Sequence, residues 1–188
     1  MKRFIALTIA VAAALAGCSA EPTDPGTAGD QSQSESQSAE LHPMGTPVEA
    51  PGVTLSVDDV TVSDSIELYA DGFKRGTQPN ETVASEKGEF VSVTTTVKNT
   101  GQAPLDLTCG FGIQAELFNS DNQYYEPQQK LYRVIDNPDC SDYLGPGFDT
   151  QMTWVFEVPT GTTLGAFGFA DPETHYDDLT FIDLAGAA

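Results

Sequence analysis

The residues best suited to chemistry in this chain are few. There are three cysteines, Cys18, Cys109 and Cys140, and two histidines, His42 and His175. A Ser-His-Asp arrangement would have to be built on His175, because His42 lies in a polar, low-complexity stretch. No Gly-x-Ser-x-Gly elbow, no His-Glu-x-x-His pair and no glycine-rich phosphate loop occurs. The adjacent carboxylates Asp58-Asp59 and Asp177-Asp178 would face opposite sides of a strand, so neither pair makes an acid/base couple. The best metal candidate is Asp136-Asn-Pro-Asp139-Cys-Ser-Asp142, three carboxylates at equal spacing that could offer oxygen ligands to Ca²⁺. Its spacing is not that of an EF-hand loop, and it lacks the glycine that such a loop turns on. His42-Pro43-Met44 offers one imidazole and one thioether, too sparse a set to select copper. With no constellation of nucleophile, base and oxyanion donor, the chain is expected not to be an enzyme and to carry no cofactor.

The first cysteine has a different chemistry. Met1-Lys2-Arg3 is a short positive start, and Phe4 to Ala16 is apolar apart from Thr8, as in a signal peptide. The run is shorter than the ~20 residues of a spanning helix. Leu15-Ala16-Gly17-Cys18 resembles the lipobox of bacterial lipoproteins. That resemblance implies alkylation of the Cys18 thiol by a diacylglyceryl group and cleavage just before it. Each buried acyl methylene contributes about 0.8 kcal/mol, so two or three chains hold a protein on a membrane. Lipidation of Cys18 leaves Cys109 and Cys140 as an even pair, which outside the cytoplasm is expected to be oxidised.

Residues 1–17 are therefore read as a lipoprotein signal peptide, 18–46 as a lipidated N-terminus and disordered linker, and 47–188 as the folded domain. The linker includes Gln31-Ser-Gln-Ser-Glu-Ser-Gln-Ser38, too polar to offset its ordering entropy. A random coil of ~28 residues reaches about 30 Å, which would hold the domain clear of the headgroups. The charge balance, 28 Asp plus Glu against 8 Lys plus Arg, repels nucleic-acid phosphates and anionic lipids. Contact with the membrane is thus expected only through the lipid on Cys18, with no nucleic acid as partner.

From Val53 onward the apolar residues alternate with period two. Val53 to Val57, Val60 to Val62, Phe90 to Val97, Phe111 to Phe118, Gln151 to Val158, Leu164 to Phe169 and Leu179 to Leu184 read as strands. Asn119 to Asn122 is a hairpin turn, with Tyr124-Tyr125 on the return. Glu126 to Tyr143 lacks periodicity and is expected to be a long loop pinned by Cys140 to Cys109. Met152, Trp154, Phe156 and Val158 share one face, which places the single Trp in the core near Val91, Val93 and Val97. Tyr124, Tyr125, Tyr132 and Tyr143 flank the loop and suit either a binding surface or a core edge. The class is all-β.

Phe90-Val-Ser-Val-Thr-Thr-Thr-Val-Lys-Asn-Thr-Gly-Gln-Ala-Pro-Leu105 resembles the signature strand of a telokin-like bacterial lipoprotein domain family of unknown function. Phe111, Ile113, Asn119 to Asn122, Tyr124, Tyr125, Leu144-Gly-Pro-Gly147, Trp154-Val-Phe156 and Val158-Pro159 continue its pattern over roughly residues 50–184. The resemblance implies an immunoglobulin-like β-sandwich of about 7–8 antiparallel strands, similar to secreted mycobacterial immunoprotective antigens. It supplies no catalytic residues. The functional expectation is a monomeric, membrane-anchored extracytoplasmic lipoprotein that displays a non-catalytic sandwich to an envelope or extracellular protein. The alternative is a metal- or small-ligand-binding surface lipoprotein.

Overall fold

The computed structural model describes residues 40–70, 77–110, 112–170 and 178–187. The signal peptide, Cys18, most of the linker, Phe111, His175 and Asp177 lie outside the described residues.

Alternation of apolar and polar residues makes the sheets. β3 (Val53–Ser63), β6 (Glu89–Asn99) and β9 (Asp149–Val158) each carry it, and they pair antiparallel in the order β2-β3-β6-β9, with β2 at Val48–Ala50. The facing sheet runs β1-β11-β10-β7-β8. Its strands are β1 (Leu41–Pro43), β7 (Gln114–Asn119), β8 (Tyr124–Tyr125), β10 (Leu164–Ala170) and β11 (Thr180–Asp183). β1 pairs parallel to β11, and the other pairs are antiparallel. A separate hairpin pairs β4 (Ser65–Leu68) with β5 (Glu81–Ala84). The strand count exceeds the expected number because β1, β2 and β8 are only two or three residues long and the hairpin carried no clear alternation.

The two larger sheets meet through aromatic side chains. Trp154 of β9 lies 6.2 Å from Phe167 of β10, and Phe156 stands edge-on to the same ring at 6.3 Å. Trp154 is 1% exposed and sits opposite Val93 in the ladder. Its indole N–H donates to Thr95 Oγ1 at 3.0 Å, and that hydroxyl donates to the Met152 carbonyl at 2.9 Å. A buried ring thus keeps its one polar atom paired.

Three elements differ from the sequence reading. The first sheet strand begins at Leu41, inside the stretch expected to be linker up to residue 46, because Leu41–Pro43 finds backbone partners in Phe181–Asp183. The two short apolar runs before residue 63 are one strand with a bulge at Asp58. The bulge turns both Asp58 and Asp59 to solvent, so they do not face opposite sides as plain alternation requires. Asp58 accepts there from Ser56 Oγ and Thr96 Oγ1. Finally, β7 starts at Gln114, later than expected.

Candidate functional site

The stretch from Glu126 to Tyr143 is pinned at several points. Gln128 N–H donates to the Val155 carbonyl, which covers the free edge of β9. A single 3-10 turn, Leu131–Arg133, buries Leu131. Arg133 donates to the Tyr69 carbonyl and pairs with Glu81 of β5. Asn137 is 1% exposed and donates to the Leu131 and Thr153 carbonyls while accepting from Thr153 N–H. Cys109 and Cys140 are joined by a disulfide across 31 residues, with Cα atoms 5.3 Å apart.

The end of this stretch meets the turn after β6. Leu105 and Leu144 exchange backbone hydrogen bonds. Asn99 donates its side-chain amide to the Ala103 and Leu144 carbonyls, and its backbone bonds to Gly147 and Phe148. Gly147 has φ +85°, a conformation that favours glycine and lets the chain reverse into β9. The Asn-Thr-Gly and Leu-Gly-Pro-Gly signatures are therefore two halves of one knot.

That knot builds a groove of about 570 Å³, lined among others by Asp136, Asp142, Tyr143, Phe148 and Asp149. Tyr143 is 65% exposed and Phe148 69%. Three carboxylates and two uncovered rings thus share one concave surface, and among the described residues its lining contains no Lys or Arg. Phe148 was not legible as a surface residue. It lies before the strand expected from Gln151 to Val158, so alternation assigns it no face; β9 begins one residue after it, at Asp149, and the ring stays outside.

The proposed calcium ligands do not come together as a ligand set. Among the described residues no three acidic, His or Cys side chains are placed to hold a metal ion. Asp136 and Asp142 line the groove, whereas Asp139 is not part of it. The Asp139 carboxylate accepts from Cys140 N–H and the Asp142 carboxylate from Asp139 N–H, so both close local turns. The tyrosines also separate. Tyr143 lines the groove, Tyr124 packs on Phe118 at 6.2 Å, and Tyr125 accepts from Asn119.

The profile of a family described as a domain of unknown function, DUF4352, matches residues 42–174. The chain belongs to this family. The match agrees with the resemblance carried by the β6 signature and its following motifs. Solved structures are similar to the chain at low identity. An uncharacterised β-sandwich protein from Clostridium difficile is 12% identical with TM-score 0.50, over 78% of this chain and 95% of that one. The yjhA protein from Bacillus subtilis is 13% identical with TM-score 0.48, over 76% and 99%. The secreted protein MPT63 from Mycobacterium tuberculosis is 16% identical with TM-score 0.46, over 79% and 99%. A comparison with curated proteins gives no match. The two facing sheets, together with the β-sandwich neighbour at TM-score 0.50, make the fold an immunoglobulin-like β-sandwich, and the function must be argued from the groove.

Proposed function

We propose that this chain is a lipid-anchored extracytoplasmic protein whose non-catalytic sandwich docks a basic protein partner at the cell envelope. Cys18 supplies the anchor and the polar residues after it the reach. The observation that carries the docking role is the groove of Tyr143 and Phe148 among Asp136, Asp142 and Asp149. Exposed aromatic rings on a rigid turn are energetic anchors in protein interfaces. Carboxylates around them steer a cationic partner and reject an acidic one. The Asn99 hydrogen bonds and the disulfide hold the rings in place before binding, which lowers the ordering cost.

A photo-crosslinking residue placed at Phe148, at Tyr143 and, as a control, at exposed Val62 tests the proposal in living cells. Adducts with one discrete protein are expected from the first two positions and none from the third. Asp142→Asn with Asp149→Asn should reduce their yield. Equal labelling from all three positions would remove the groove from consideration.

A further inference from the structure

We infer that a second cavity is a binding site for a small organic cation, an apolar body that carries one ammonium group. This cavity, of about 460 Å³, is bounded by β7, the segment before the 3-10 turn and Trp154, and shares no lining residue with the docking groove. Its size falls within the range of small-molecule sites, about 300–1,000 Å³. Leu107, Ile113, Leu131 and Trp154 line it, and all four are core residues. An apolar body entering there loses water against the hydrophobic core.

Two further wall residues define the polar end. Thr108 Oγ1 and Gln114 Oε1 are buried without a hydrogen-bond partner among the described residues. Among the described residues they are the two side-chain atoms so placed, and both belong to residues that line this one cavity. Native interiors rarely leave such atoms unpaired, and a pair in one cavity wall points to an occupant. Thr108 is 7% exposed and its hydroxyl is shut off from bulk water, so in this proposal the side chain turns to meet an occupant as it binds. The Gln114 amide nitrogen already donates to Glu116 at 2.8 Å, which leaves its oxygen as an acceptor. The missing group is therefore a donor.

Charge narrows the class. Glu116 and Glu126 line the cavity, and among the described residues no Lys, Arg or His does. An anion is repelled, a neutral donor is tolerated, and an ammonium gains from both carboxylates.

Trp154 is the only tryptophan of the chain, so its emission reports the cavity directly. The full chain, wild type and variants side by side, is titrated with 2-phenylethylamine, 2-phenylethanol and phenylacetate. The amine is expected to change the emission saturably and to bind about tenfold tighter than the alcohol, the advantage of a charge-assisted hydrogen bond over a neutral one. Phenylacetate should give no saturable change. Glu126→Gln is at the cavity mouth and should weaken the amine about tenfold while leaving the alcohol unchanged. Thr108→Val should weaken both ligands yet raise the unfolding midpoint of the free protein, because it removes an unpaired buried hydroxyl. No saturable response to any probe at millimolar concentration would overturn the site. Equal binding of amine and alcohol, indifferent to Glu126→Gln, would overturn the cation class.

Discussion

Replacing Thr95 by Val tests whether the buried Trp154–Thr95–Met152 chain of hydrogen bonds stabilises the sandwich. Thr95 is fully buried, and its hydroxyl both accepts from the indole N–H and donates to the Met152 carbonyl. Valine keeps the shape and removes both functions. An unpaired buried donor costs about 1–3 kcal/mol, and the lost bond to Met152 about 1 kcal/mol more. Thr95→Val should therefore destabilise by about 2–4 kcal/mol on these figures. Trp154→Phe removes the indole N–H together with some volume, while Thr95 can still donate to Met152. In that background Thr95→Val leaves no orphaned indole, so its cost should fall by about 1–3 kcal/mol. Urea unfolding followed by far-ultraviolet circular dichroism measures all four corners of the cycle, since two of them lack the fluorophore. Costs that add to within about 0.5 kcal/mol would refute the coupling, and the hydrogen bond would then be incidental to packing.

Other expectations concern the anchor, the bridge, the core and acid stability. Cys18→Ser should block lipid transfer and release the protein from membranes, and unchanged membrane retention would refute the anchor. Cys109→Ser with Cys140→Ser should cost about 3.5–4 kcal/mol by the chain-entropy relation for a loop of this length, read from the shift in denaturant midpoint. Intact mass of the wild type should rise by two hydrogens on reduction. Trp154→Ala should cost about 3–5 kcal/mol as a core truncation, and native emission should be blue-shifted and move red on unfolding. Glu157 is held below its ordinary value of 4.5, first by the Ser85 hydroxyl and then by the Lys87 and Glu86 backbone N–H groups. Its ionised form therefore stabilises the fold above that value, and the contribution is lost as pH falls from 4.5 through the lower folded value. The stability gap between wild type and Glu157→Gln should shrink across that acid range and stay flat above it; a gap that widens on acidification would contradict the assignment.

Period-two patterning was enough to identify most of the long strands, because half-buried sheets impose alternation on every residue they contain. It placed Trp154 with Met152, Phe156 and Val158 inside, and Cys parity joined Cys109 to Cys140 without coordinates. Even the switch of apolar parity between Val57 and Val60 was present, although only pairing with Thr94 and Thr95 shows it to be a bulge within one strand. Strands of two or three residues carry no period, so β1, β2 and β8 owe their existence to backbone partners distant in the chain. The candidate sites belong to the same category. Whether Asp136, Asp139 and Asp142 converge, whether Phe148 faces water, and whether Thr108 and Gln114 share a wall are questions about loops. Loop positions are set by contacts such as Asn137 to Thr153 and Asn99 to Leu144, which join residues 16 and 45 apart. Local residue patterns report secondary structure because its hydrogen bonds repeat; they do not report a knot whose bonds occur once.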